Sequence, residues 1–167
     1  MNISKIAIEM TALVVAAIVI ITGCSKPKPP TESRPVAPEV KTKPPVLIEP
    51  KEGVDKVRKG MSQQQVEAAL GQPSSKNGMA WIYKSQGMFV SFGNNGVMFN
   101  IKCVSPFAGV TKEGIGIGST RAELMAAYGN PDQDQHFEHG DENLWFASLG
   151  TSFYVEKDKV TSLIVHF

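Results

Sequence analysis

Histidine and carboxylate residues cluster in residues 132–142, where the sequence comes nearest to a metal site. Imidazole and carboxylate groups suit zinc, and carboxylates alone suit calcium. The spacing of these residues matches no standard metal-binding loop, so the alternative is an inserted polar loop. We favour the insertion and expect no metal and no cofactor. The candidate zinc ligands are His136, His139, Asp134 and Glu138.

Other residues with chemical potential do not form a catalytic arrangement. Cys103 lies in an apolar, strand-like run, which is typical of an inert core thiol. The glycines of 114–118 lack the G-x-G-x-x-G spacing of a dinucleotide loop and suit a turn before a helix. His166, the third histidine, has no evident Ser/Asp or Cys partner in the pattern. We therefore predict that the chain is not an enzyme.

Cys24 is the residue with the clearest chemistry. Lys5 precedes the apolar run Met10–Ile21, which is long enough for a signal peptide but shorter than the ~20 residues of a membrane span. The run ends in Ile21-Thr22-Gly23-Cys24, which resembles the bacterial lipobox. That resemblance implies diacylglyceryl transfer to Cys24, cleavage after Gly23 and N-acylation. The alternative is an ordinary cleaved signal, or a short membrane helix with a chance cysteine.

Acylation of Cys24 has two consequences. It leaves Cys103 without a partner, which argues against a disulfide-stapled fold although the compartment is oxidising. By family analogy, Ser25 after the cysteine permits transport to the outer membrane. We therefore expect a lipid anchor in the cell envelope, facing the periplasm if the host is Gram-negative.

A proline-rich segment follows the cysteine. Eight of the eleven prolines lie between Pro27 and Pro50. Proline deters helix and sheet, so residues 24–50 are predicted to be a disordered, extended linker. The linker is either a plain spacer or a segment whose basic side chains contact lipid head groups or cell wall. The basic residues are Lys26, Lys28, Arg34, Lys41 and Lys43.

The remaining residues contain one pattern twice. Gly60–Pro73 and Gly118–Pro131 share G-x-[ST]-x-x-[QE]-[VL]-x-A-A-x-G-x-P without a gap. The pattern predicts a short helix that opens on a capping box, buries one face, stops at a glycine in the left-handed αL conformation and is followed by proline. Ser62 with Gln65, and Thr120 with Glu123, form the predicted boxes. The predicted core-facing residues are Val66, Leu70, Leu124 and Tyr128.

Strand-like runs follow each predicted helix. Each copy is expected to form a three-stranded antiparallel meander, with Trp81 and Trp145 opening the first strand and Phe89 and Phe153 following at the same interval. Residues 93–96 and 157–159 are the predicted hairpin turns. Residues 54–59 are predicted to form a short leading helical turn. The predicted strands span residues 79–84, 88–92, 97–104, 143–149, 152–156 and 160–167.

These features resemble the SmpA/OmlA (BamE-like) outer-membrane lipoprotein domain, and two such units in tandem resemble the β-lactamase-inhibitor-protein architecture. The resemblance implies an α+β fold with repeats at 51–106 and 107–167, which follow the predicted signal peptide at 1–23 and the acylated linker at 24–50. The residues that carry it are Gly60-Met61-Ser62, Val66, Leu70-Gly71, Pro73, Trp81 and Tyr83, with 114–118 leading into the second copy.

The resemblance implies function through contact. We expect a non-catalytic interaction or assembly module that binds another envelope protein, in outer-membrane assembly or integrity. The alternatives are an inhibitor of a secreted hydrolase with a concave surface across both repeats, and a metal-dependent enzyme using the His136 loop. A net charge of +1 argues against nucleic acid as a partner. The predicted partner-binding residues, for which core packing is the alternative, are Trp81, Tyr83, Trp145 and Phe146.

Overall fold

The computed structural model describes Pro45 and residues 47–167. The predicted signal peptide, the lipobox and nearly all of the proline-rich linker lie outside the described residues. Strand β1, Ile48–Glu49, already falls at the end of the segment predicted as linker. Ile48 is buried in the core, so folded structure begins by this residue.

Two eight-residue helices, α1 (Gln63–Leu70) and α2 (Arg121–Tyr128), occupy the repeated pattern. Each begins at the predicted capping box. In α1 the backbone N–H of Gln65 donates to Ser62 Oγ, and the backbone N–H of Ser62 donates to the side-chain Oε1 of Gln65 at 2.9 Å. The same reciprocal pair caps α2 at Thr120, so both predicted helix starts are confirmed.

The helix ends differ from the prediction in their backbone conformation. Gly71 has φ 85° and ψ −166°, and Gly129 has φ 76° and ψ −154°. These values lie in an extended, positive-φ region that only glycine adopts readily, and the predicted αL conformation is wrong. Each glycine amide still bonds to a helical carbonyl, and its extended ψ leads directly into the segment before Pro73 or Pro131.

Each helix is followed by four strands, one more than predicted. The eight strands form one antiparallel sheet in the order β4-β5-β6-β7-β11-β10-β9-β8. The central contact pairs β7 with β11 and joins the two halves. The strands are β4 (Ser75–Asn77), β5 (Ala80–Tyr83), β6 (Met88–Phe92), β7 (Met98–Val104), β8 (Gln133–His136), β9 (Glu142–Phe146), β10 (Thr151–Glu156) and β11 (Lys159–His166).

The additional strands, β4 and β8, are the two edges of the sheet. Every residue in them is exposed, and most are polar. They pair with β5 and β9 through tight connections, and neither shows the apolar alternation that identifies a half-buried strand. Short polar edges of this kind also discourage edge-to-edge aggregation.

One face of the large sheet forms the core with both helices. Val66 of α1 and Leu124 of α2 are completely buried, as predicted, and Leu70 and Tyr128 pack partly buried against the same core. The Tyr128 ring lies 5.9 Å from that of Phe146. We call this side of the sheet the inner face. Its buried residues on the four central strands include Val90, Ile101, Leu163 and Phe153.

A second, three-stranded sheet lies where a leading helical turn was predicted. It consists of β1, β2 (Gly53–Val54) and β3 (Val57–Arg58), all antiparallel. The prediction of a turn of helix at 54–59 is therefore wrong. Val54 and Val57 are a cross-strand pair with no exposed surface, because both contribute to the core.

Neither helix among the described residues has the length and apolar character needed to cross a membrane.

Candidate functional site

Three of the four predicted partner-binding residues lie in the core. Trp81, Tyr83 and Phe146 are at most 5% exposed and occupy the inner face. The Trp81 ring packs 4.9 Å from that of Phe92. Core packing, the alternative considered for these aromatics, therefore describes their position in the folded chain.

Trp145 lies on the opposite side of the sheet, which we call the outer face. Its Cα partners are Ser152 on β10 and Gln133 on β8, and its side chain is half-buried. The His166 ring meets the indole edge-on at a centroid distance of 5.3 Å. Burial lowers the pKa of His166, so this imidazole is neutral at pH 7.

The two tryptophans are not structural equivalents. In β5 and β6 the inner-face pair next to the connection is Tyr83 with Met88, and in β9 and β10 it is Phe146 with Thr151. Trp81 therefore corresponds to Leu144, and Trp145 corresponds to the outer-face residue Ile82. Because side chains alternate along a strand, a one-residue offset places the two indoles on opposite faces.

The strand register aligns one outer-face residue from each of the eight strands. We call this line the outer row. Four of its members are large apolar residues in half-buried positions, and they come from both halves of the chain. In sheet order the outer row is Ser75, Ile82, Phe89, Lys102, Ile164, Ser152, Trp145 and Gln133.

Further apolar side chains extend the outer row along the strands. Val104 and Tyr154 lie half-buried on the outer face, each paired with Ser162 on β11. Phe99 is the additional residue of a bulge in β7 and is 46% exposed. Large apolar side chains grouped on one sheet face among polar residues are typical of a protein contact site.

Sequence reasoning missed Ile82, Phe89, Ile164 and Tyr154 as surface residues. The alternation of β6 and β11 carried the signal, since both strands were placed correctly. What it could not supply was the phase, that is, which of the two alternating sets faces the helices.

The polar segment 132–142, expected to be an inserted loop, contains strand β8, the connection at 137–141 and the first residue of β9. Arg121 donates from Nε to Glu142 Oε2 at 2.6 Å and lies 3.3 Å from Asp134 Oδ2. His136 lies beside the same two carboxylates, with Nε2 3.2 Å from Asp134 Oδ1 and Nδ1 3.6 Å from Glu142 Oε1. No group of three or more potential metal ligands is present among residues 45 and 47–167. The carboxylates of this segment instead connect α2 to the edge of the sheet.

Cys103 is completely buried on the inner face, between Met88 and Leu163 in register. Burial raises the pKa of its thiol to about 12. At neutral pH the side chain is therefore a protonated, apolar core residue and not a nucleophile.

Two cavities of ≈ 360 and ≈ 390 Å³ lie beside Glu113, which lines both. Glu113 accepts a hydrogen bond from the Tyr128 hydroxyl at 2.8 Å, and this bond lowers the pKa of the carboxyl group. Neither cavity is lined by a cysteine, serine or histidine.

The described part of the chain is thus an α+β protein whose outer sheet face carries a row with four large apolar side chains. The family model of the outer membrane protein assembly factor BamE domain matches residues 48–101. This stretch runs from β1 into β7 and includes α1. A BamE domain in the first half of the folded region, expected from the sequence, is therefore confirmed.

Two solved structures are similar to part of the chain at low identity. A DUF4309 family protein (YjgB) from Bacillus subtilis is 12% identical with a TM-score of 0.47, and the alignment covers 63% of this chain and 77% of that one. A cysteine-rich secretory protein from Staphylococcus aureus is 16% identical with a TM-score of 0.45, covering 71% and 46%. Comparison with curated proteins gives no match.

Proposed function

We propose that the chain is a lipid-anchored, non-catalytic interaction module of the cell envelope that contributes to outer-membrane assembly. The BamE domain at residues 48–101 supports the assembly context. The single observation that carries the contact role is the outer row, which presents Ile82, Phe89, Ile164 and Trp145 on one continuous sheet.

Cys24 is the proposed anchor, after cleavage at Gly23. Several acyl chains on one residue give stable membrane attachment, whereas one chain gives only marginal binding. The proline-rich linker would allow the folded part to reach partners away from the membrane. The location that follows is the outer membrane, facing the periplasm, in a Gram-negative host.

The second half is proposed to be a divergent copy of the first. Both halves contain a capped helix followed by four antiparallel strands, and each helix lies within the same fourteen-residue pattern. Duplication extends the outer face from four strands to eight. A wider face can accommodate a larger partner surface, which suits an envelope protein better than a small ligand.

Site-specific photo-crosslinking in intact cells tests the contact role. A photoreactive residue replaces Phe89 on the outer row, and the matched control carries it at Lys56, an exposed residue of the β2–β3 turn. We expect a specific envelope protein to be captured from position 89 only. Ile164→Asp should abolish the capture, because it removes an apolar contact from the centre of the outer row and places a carboxylate beside Lys102.

Equal capture from both positions, or capture unaffected by Ile164→Asp, would contradict a contact role for the outer face. The anchor is tested separately by incorporation of labelled palmitate, which Cys24→Ala should abolish. Palmitate incorporation into Cys24→Ala would overturn the assignment of the anchor.

Inhibition of a secreted hydrolase is the second candidate, and the continuity of the outer row across both halves favours it. In that case the protein captured at position 89 would be a hydrolase, and the purified chain would reduce its turnover. A captured assembly component without hydrolytic activity would decide for the first candidate.

A further inference from the structure

Lys102 lies at the centre of the outer row, on one of the two middle strands of the sheet. Its Cα partners are Phe89 on β6 and Ile164 on β11, so an apolar side chain flanks it on each side. The lysine side chain is half-buried in this position. A positive charge therefore lies between two apolar side chains at the middle of the outer row.

The carboxylate of Glu156, at the end of β10, accepts a hydrogen bond from Thr161 and does not pair with this charge. Lys102 forms no ion pair within the part of the chain that the structure describes. Its Nζ lies over the Tyr154 ring, 5.4 Å from the centroid. The remaining residues of the outer row are uncharged, and the nearby His166 is neutral at pH 7.

Docking of any partner on the outer row would remove water from this ammonium group. Burial of an unpaired charge is costly, and a cation–π contact at this distance offsets only part of that cost. A wholly apolar partner would therefore be penalised at Lys102. A partner that supplies a carboxylate there avoids the penalty and gains a charge-assisted hydrogen bond.

We propose that the outer face recognises a protein segment in which an aspartate or glutamate lies between apolar side chains, with its carboxylate against Lys102. The apolar neighbours would contact Phe89 on one side and Ile164 on the other. This inference rests on the proposed function, because it names the chemistry of the partner for the same surface.

The same charge argues against two other occupants. A second copy of the chain, stacked face to face about a two-fold axis near the centre of the outer row, would bring two Lys102 side chains together and repel. Nucleic acid is disfavoured because phosphate backbones are bound by several cations, and the outer row provides one.

Selection from a random peptide display library, with the full chain as bait, tests the proposal. We expect enrichment of peptides that carry one Asp or Glu between apolar residues. Replacement of that acid by its amide should weaken binding about tenfold. Lys102→Glu should reverse the selection toward Lys or Arg, while Lys102→Met should abolish the acidic preference but retain apolar peptides.

The matched control is Lys56→Glu, which makes the same change of charge at an exposed site away from the outer face. It should leave the selected motif unchanged. Trp145 lies on the outer row, so its fluorescence should shift when a selected peptide binds and provides a check that the peptide occupies this surface.

Peptides selected without any acidic preference, or a motif that survives Lys102→Glu, would overturn the proposal. The two levels of inference remain distinguishable through the crosslinking experiment. Capture at position 89 that depends on Ile164 but is unaffected by Lys102→Glu would refute the acidic partner and leave the contact role intact. Absence of capture from position 89 in the chain that carries only the photoreactive residue would refute the contact role itself.

Discussion

The two halves of the folded chain share their order of elements but attach the helix to the sheet edge in opposite ways. In the first half the helix provides the acid: Glu67 of α1 pairs with Lys76 of β4 at 3.0 Å. In the second half the helix provides the base: Arg121 of α2 pairs with Asp134 of β8 and Glu142 of β9. The connection between helix and edge is retained, while the signs of its charges are exchanged.

The two halves have in common the residues that determine the fold, and they differ in residues that do not. Both halves keep the capping box, one fully buried aliphatic residue in the helix and a glycine with positive φ at its end. They differ in residues that are partly exposed, such as the ion pairs at the sheet edges. The core and the helix ends therefore determine the fold, and the edge charges adjust it.

Truncation of the buried helix residue should have the largest effect in each half. Leu124→Ala removes a side chain with no exposed surface and should lower the free energy of unfolding by about 3 kcal/mol. Val66→Ala removes fewer atoms from the equivalent position and should cost about 2 kcal/mol. Urea denaturation followed by circular dichroism measures both.

Because one sheet joins the halves, each variant should unfold in a single transition. A separate transition for one half in either variant would contradict the common core. Leu124→Met is the matched control, since it keeps the side-chain volume and should cost less than about 1.5 kcal/mol.

The buried thiol of Cys103, in the first half, should make the free energy of unfolding depend on pH in the alkaline range. The folded-state pKa of Cys103 is raised to about 12 from 9.0, so the folded state retains this proton when the unfolded state loses it. The stabilisation is complete below pH 9 and is lost as the pH rises from 9 toward 12. By pH 10 the loss should be about 1.4 kcal/mol.

Comparison of urea midpoints at pH 8 and pH 10 measures this loss. Cys103→Val keeps a similar volume and should remove the thiol's share of the change. In the second half burial also raises the pKa of Tyr128, from 10.0. Tyr128→Phe should remove the phenol's share of the pH dependence above pH 10, in addition to the hydrogen bonds to Thr111 and Glu113 that it loses at every pH. An unchanged pH dependence in Cys103→Val would show that the thiol does not contribute.

The capping boxes should contribute equally in the two halves. Ser62→Ala and Thr120→Ala each remove the side-chain acceptor of a helix N-terminus, and each should cost about 1 kcal/mol. Thermal unfolding of the two variants measures the difference directly. Restoration by Ser62→Thr and Thr120→Ser would attribute the loss to the hydroxyl group, and unequal losses would contradict the equivalence of the halves.

Local signals in the sequence were sufficient for the elements that bury a regular pattern. The capping boxes identified both helix starts, and apolar alternation located β6, β7, β10 and β11 within one or two residues. The turn at residues 93–96 was also correct, with Gly96 N donating to Gly93 O. These features depend on interactions between residues close together in the chain, which is why a single sequence reveals them.

The missed features depend on contacts that are distant in sequence or on residues without a pattern. Polar β4 and β8 carry no alternation, and the two-residue strands β1–β3 are too short for a periodic signal. The pairing of β7 with β11 joins segments about sixty residues apart. The tryptophans were aligned by spacing, although a difference of one residue between the halves moves Trp145 to the opposite face from Trp81.

Loss of the edge ion pairs should have the smallest effect and should expose the asymmetry of the halves. Arg121→Met breaks contacts with two carboxylates and should lower the free energy of unfolding by about 0.5–1 kcal/mol, since the side chain is 36% exposed. Lys76→Met breaks one pair and one cation–π contact with Trp81, and should cost less than about 0.5 kcal/mol. Both losses should shrink in 1 M salt, because screening weakens partly exposed pairs. If Lys76→Met proved the costlier variant, the edge of the BamE domain would depend more on its ion pair than the doubly paired edge of the second half.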